Sequence, residues 1–139
     1  MIKYAFAAYL LLLHSPSAAL AQQTRSTASG VFTAEQAKNG ERVFQAQCAP
    51  CHGPDLHSVC PEAPDLTDGA FNFGWKDKTI AYRFQQIRSQ MPPGAARSLD
   101  DQTYLDIIAY ILQFNGIPAG SEKLVPDVDA LERIVITIP

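Results

Sequence analysis

One short string limits this chain more than any other feature: Cys48-Ala49-Pro50-Cys51-His52, a C-x-x-C-H pattern. Two thiols separated by two residues can add to the two vinyl groups of one haem. The adjacent imidazole is then presented to the iron from the proximal side, and the pattern is the signature of c-type haem attachment. Three other readings compete. A thioredoxin-like redox pair needs C-x-x-C after a strand in a βαβ setting, and here it follows a helical stretch with no strands flanking it. A zinc site needs four ligands, usually a second pair at fixed spacing, and only His57 and Cys60 remain nearby without repeating the pattern. A disulfide between Cys48 and Cys51 would leave His52 unexplained.

Composition removes further classes. At 139 residues the chain allows one domain. An apolar content of 47% makes one core feasible, while 18% charged residues and a net charge of −3 argue against disorder and against a basic nucleic-acid binder. The 11 Lys and Arg are scattered rather than clustered. Ten prolines and eight glycines predict loops between short helices, and three cysteines are too few for a disulfide-dense scaffold.

Residues 1–21 read as a secretory signal peptide. Lys3 charges the start, Tyr4 to Leu13 is a ten-residue apolar run, and Ala19-Leu20-Ala21 fits an A-x-A cleavage site. The run is well short of the roughly 20 residues that span a bilayer, so no membrane anchor is expected in the mature form. Cleavage would take the formal charge from −3 to −4 by removing Lys3. The destination is an oxidising compartment, most simply a bacterial periplasm, which suits haem attachment. Polar residues 22–30 predict a flexible leader.

The mature chain predicts an all-α domain over residues 31–118. Thr33 and Gln36 form a T-x-x-Q capping box that opens a helix to about Gln47. Cys48 to Gly74 reads as loop with short turns at most. A second helix starts at Asp77 or Thr79 and carries Ile80, Phe84 and Ile87 on one face to about Gln90. A third starts at Ser98, with Asp101 completing a capping pattern, and stops at Asn115-Gly116. Its apolar face is wide, with stripes Tyr104/Ile107/Ile111/Phe114 and Leu105/Ile108/Leu112, so it should be sandwiched between two partners. The tail, residues 119–139, ends in a β-prone segment at Ile134 to Ile138 with no obvious strand partner.

A second iron ligand is found by elimination. The mature chain holds one methionine, Met91, which lies 39 residues after His52 and is followed by Pro92-Pro93. The prolines stiffen the segment that would hold the thioether over the iron. The competing role for Met91 is a gap-filling core residue. The other candidate ligand is His57, five residues from His52 and too near to reach the opposite haem face easily.

The order of helix, C-x-x-C-H, Pro-rich loop, helix, Met-Pro and C-terminal helix resembles a class I c-type cytochrome. Gly40 and Phe44 stand eight and four residues before Cys48, and Ile107 and Tyr110 fall where that family's C-terminal helix crosses the first. Ala63-Pro64-Asp65-Leu66 resembles the family's G-P-x-L loop, which implies haem contacts at Pro64 and Leu66 and a hydrogen bond from His52 Nδ1 to the Pro64 carbonyl. The resemblance covers about Phe32 to Pro118. It implies a cytochrome c fold of three main helices and loops wrapped around one haem c, with His52 and Met91 as axial ligands and Cys48 and Cys51 as attachment points.

A narrower likeness lies in Phe71-Asn72-Phe73-Gly74-Trp75, Met91-Pro92-Pro93-Gly94, Ile108 to Leu112 and Asn115 to Gly120. These segments are similar to cytochromes associated with periplasmic quinoprotein (PQQ-dependent) dehydrogenases. That likeness implies a one-electron carrier between such a dehydrogenase and the respiratory chain, through a terminal oxidase or another cytochrome. Trp75 would there either donate its indole N–H to a haem propionate or pack on the haem edge. The alternative function is a haem enzyme or gas sensor with an open iron site, which requires that Met91 not bind iron. Cys60 departs from the family pattern. It reads as a free, partly buried thiol, or as half of an intermolecular disulfide.

Overall fold

The computed structural model describes residues 23–138. The expected signal peptide over 1–21 lies outside the described residues. In chain order the elements are β1 (Arg25–Ser26), a 3-10 turn (Thr27–Ser29), α1 (Ala34–Gln47), α2 (Ala49–His52), α3 (Asp68–Trp75), α4 (Ile80–Gln90), α5 (Asp101–Phe114), α6 (Val128–Glu132) and β2 (Ile134–Val135). The fold is mostly helical, as expected.

Helix α1 begins where Thr33 accepts a hydrogen bond from the Gln36 amide on its Oγ1. The other half of the predicted capping box is not made. The buried Gln36 side chain turns inward: its Nε2 donates to Asp106 and to the Leu124 carbonyl, and its Oε1 accepts from the Leu124 amide, each at 3.0 Å. One amide thus joins α1, α5 and the C-terminal segment.

Helices α1 and α5 cross at Gly40. A Cβ there would stand 1.8 Å from the Asp106 carbonyl oxygen, so only glycine lets the two backbones approach this closely. Beside the crossing, the Phe44 and Tyr110 rings lie 5.2 Å apart and tilted by 52°, a favourable aromatic geometry. Residues Tyr104, Leu105 and Ile107 to Leu112 of α5 are all buried, so this helix is covered on both flanks as its composition predicts. Phe114 is the exception: it is 45% exposed, with its ring edge-on to Tyr110.

Three boundaries differ from the sequence expectation. The cap of α5 is Asp100 rather than Ser98, with the Asp100 carboxylate accepting from the Thr103 amide at 2.9 Å and from its hydroxyl. The end of the segment expected as loop, residues 68–74, forms α3 together with Trp75. Gly69 and Gly74 weaken its helix propensity, but Phe71 and Trp75, one turn apart, are both buried and stack at 5.2 Å. Packing overrides propensity there.

The third difference concerns the two ends of the domain. The segment expected as a flexible leader is ordered from Arg25, and the tail's strand has a partner after all. β1 pairs parallel with β2, with Arg25 opposite Ile134 and Ser26 opposite Val135. The buried Thr27 exchanges two hydrogen bonds with the Thr137 backbone. The tail also reaches the start of α4, where the Ile136 amide donates to the Lys78 carbonyl and the Asp77 amide to the Ile136 carbonyl. Leu131, Ile134 and Ile136 are buried. Sequence windows miss this because the two strands are two residues each and lie at opposite ends of the chain.

Candidate functional site

Helix α1 ends at Gln47, and the single-turn α2 carries the motif immediately after it. The Cys51 and His52 amides both donate to the Cys48 carbonyl, at 3.1 and 2.9 Å, which fixes the three side chains on one tight turn. Gly53 ends that turn at φ 72°, a left-handed conformation. A Cβ at Gly53 would stand 1.9 Å from the His57 carbonyl oxygen, so the following loop folds directly back over the motif.

His52 is buried, and its Nδ1 lies 3.0 Å from the Pro64 carbonyl oxygen. With Nδ1–H donating there, Nε2 is left as the free electron pair, the tautomer a metal requires. The Pro64 segment is itself held. The Leu66 amide donates to the Leu56 carbonyl at 2.8 Å, and the Leu66 carbonyl accepts from Asn115 Nδ2 at 2.9 Å. The stop signal of α5 therefore also braces the loop that orients His52.

These residues open onto one cavity of about 480 Å³. Cys48, Cys51, His52, Pro64, Leu66, Trp75 and Met91, all singled out in the sequence, line it together. Met91 is the C-cap of α4, its amide donating to Ile87 at 2.8 Å, and the Met91–Pro92 peptide is cis. Phe44, Ile87, Ile107 and Ile111 supply apolar walls from three helices. His57 does not line the cavity; it is exposed and sits 3.7 Å from Asp68.

The chemistry of the lining fits haem c. The volume falls in the range of sites that enclose an organic cofactor. Burial pushes the Cys48 thiol up to about 11. The same burial suits a thioether, which carries no charge to desolvate. Among the described residues no group of three or more His, Cys, Asp or Glu is placed to hold a metal ion.

Two lining residues were missed by sequence reasoning. Arg83 stands on α4 between Ile80 and Phe84, and its Nε is shut off from solvent without a hydrogen-bond partner among the described residues. Its guanidinium lies 5.1 Å from the Trp75 ring centre and bonds Gln86. Burial pulls its pKa below the ordinary arginine value, though arginine stays protonated. A half-buried cation with an unused Nε–H beside an apolar cavity suits an anionic group, such as a haem propionate would provide. An arginine within the apolar stripe of α4 was the available signal. Tyr104 is the second: its hydroxyl donates to the Met91 carbonyl at 2.9 Å. Cys60 is partly buried, with its Sγ 3.8 Å from the Pro50 carbonyl. A hydrogen bond with Cys51 raises its pKa.

Residues 35–111, more than half of the chain, match the family described as cytochrome c oxidase, cbb3-type, subunit III. The chain belongs to this family of c-type cytochromes. Cytochrome c6 of Synechococcus elongatus is 32% identical over 75 residues, which are 53% of this chain and 85% of that protein. Cytochrome c6 of Bumilleriopsis filiformis is 32% identical over 76 residues, covering 54% and 87%. The SoxCD sulfane dehydrogenase of Paracoccus pantotrophus aligns over 78% of this chain and 62% of its own, at 21% identity and a TM-score of 0.49. The present chain is thus a monohaem class I c-type cytochrome, an electron carrier with covalently bound haem c. No helix among its described residues is long and apolar enough to cross a membrane.

Proposed function

We propose that this cytochrome is a periplasmic one-electron carrier in which Cys48 and Cys51 hold the haem, His52 and Met91 are the axial ligands, and a quinoprotein dehydrogenase is the electron donor. The observation that carries the ligand assignment is the single cavity onto which both cysteines, the oriented His52 and the mature chain's one methionine all open. Haem c, when bound, supplies the one-electron iron couple.

The chain's own residues do the rest. Pro64 sets the His52 tautomer and strengthens it as a donor. Met91 would supply its thioether as the ligand opposite His52, an arrangement that suits a carrier rather than an oxygenase or sensor. Phe44, Ile107 and Ile111 exclude water, and burial with a thioether ligand raises the potential. Trp75 and Arg83 line the cavity side by side and would offer N–H donors to a haem propionate.

The partner reading rests on the likeness of Phe71 to Trp75, Met91 to Gly94 and Asn115 to Gly120 to dehydrogenase-associated cytochromes, with electrons passed on to a terminal oxidase or another cytochrome of the respiratory chain. The signal-peptide pattern at the start of the sequence supports the periplasmic assignment. The net charge of −3 disfavours a lysine-ring docking face, so docking is expected to be small, transient and mostly apolar. Stopped-flow reduction by a purified quinoprotein alcohol or sugar dehydrogenase tests this. Fast reduction that varies little with salt is expected. No reduction at any ionic strength, with rapid oxidation by a terminal oxidase retained, would remove the dehydrogenase from the account.

A further inference from the structure

The two polar backbone groups of Met91 are bound by different helices. Its amide belongs to α4, donating to the Ile87 carbonyl at 2.8 Å, and its carbonyl accepts from the Tyr104 hydroxyl of α5 at 2.9 Å. Tyr104 is 1% exposed and lines the haem cavity, so its ring is locked by the core while its hydroxyl reaches the methionine segment. The surrounding hairpin is tied elsewhere. The Arg97 amide donates to the Arg88 carbonyl at 3.0 Å, Arg88 pairs with Asp101, and the Ala95 amide closes a turn onto Pro92. Those contacts hold the flanks. Among the described residues, the bond from α5 that falls on Met91 itself is that of Tyr104.

We infer that Tyr104 is the positioning residue for the methionine ligand: it anchors the Met91 backbone to α5 and so sets how readily the thioether leaves the iron. The inference rests on the assignment of Met91 as axial ligand. Burying the ring in the core fixes the donor in advance, so little order has to be created when the ligand binds. Without the hydroxyl, the Met91 carbonyl loses its partner and the segment is held by α4 alone. The dissociated state then gains population, and an external ligand competes more easily.

Tyr104→Phe removes one oxygen and keeps the buried ring, so the fold is retained. Tyr110→Phe is the matched control. Tyr110 is on the same helix, but its hydroxyl accepts from Gln45 at 3.4 Å and does not touch Met91. The measurement is carbon monoxide affinity of the reduced holoprotein, together with the far-red methionine–iron band of the oxidised form. The expected result is an affinity about five-fold higher in Tyr104→Phe, in the range a single neutral hydrogen bond provides. Its far-red band should weaken, with Tyr110→Phe behaving as the unsubstituted protein. If both variants match the unsubstituted protein while it shows the far-red band, Tyr104 does not position the ligand. If the unsubstituted protein lacks the band, the Met91 assignment itself falls, and the role of Tyr104 falls with it.

Discussion

Gly40 leaves no room for a side chain against α5, and Gly40→Ala perturbs that contact with a single methyl group. The added carbon would stand 1.8 Å from the Asp106 carbonyl oxygen, 2.2 Å from its carbon and 2.7 Å from the Ile107 amide nitrogen. Carbon–oxygen contacts normally settle at about 3.3 Å or more, so the helices must part by roughly 1.5 Å. None of the obstructing atoms belongs to a flexible side chain. Forced separation in a packed core costs about 1–3 kcal/mol, and the backbone clash places this case toward the upper end. Alanine's better helix propensity returns about 1 kcal/mol. The net loss is about 2 kcal/mol, or a melting temperature lower by about 8 °C for a domain of this size. Thermal unfolding of the holoprotein followed by circular dichroism measures it. Gly69→Ala is the control, because a Cβ at Gly69 meets nothing within 4 Å; it should be neutral or stabilising. A Gly40→Ala protein that melts at or above the unsubstituted temperature would refute the reasoning.

Three further outcomes follow from the same structure. Gln36→Leu strands the Leu124 amide that Gln36 now satisfies, while the Leu124 carbonyl keeps Gln102, and should cost about 1–3 kcal/mol in chemical denaturation; an unchanged midpoint would show that water replaces the lost acceptor. Truncation after Pro126 removes the buried Leu131, Ile134 and Ile136, each worth about 1.5–3 kcal/mol, so the shortened holoprotein should melt far lower. An unchanged melt combined with lost co-purification of a dehydrogenase would instead make the tail a partner-binding segment. Arg83→Met removes a half-buried positive charge from the cavity wall, which disfavours the reduced state, so the potential in a redox titration should fall. A potential that stays or rises would place the arginine's charge outside the reach of the iron.

Much of the site was legible in the sequence because it depends on spacing. The motif fixes Cys48, Cys51 and His52 within one turn, and Gly40 and Phe44 are placed by counting back along the same helix. The Pro64 contact came through the likeness of its loop, and the structure shows the bond. What was not legible depends on contacts between segments distant in sequence. Arg83 and Tyr104 occupy ordinary positions in amphipathic helices, and only the fold reveals that one keeps an unpaired Nε beside the cavity and the other reaches Met91. Helix α3 was hidden by its glycines, since its two anchoring aromatics count only once something covers them. The β1–β2 pairing joins residues 25–26 to 134–135, beyond any local pattern.

The account turns on the two axial positions, and optical spectra test them most directly. The protein should be matured in a periplasm equipped for haem attachment and recorded oxidised, reduced, and reduced under carbon monoxide. A low-spin c-type spectrum with the far-red methionine–iron band, and little response to carbon monoxide, is the predicted result for His52 and Met91 ligation. A high-spin spectrum that shifts strongly with carbon monoxide would contradict it and make the chain a haem protein with an open iron site.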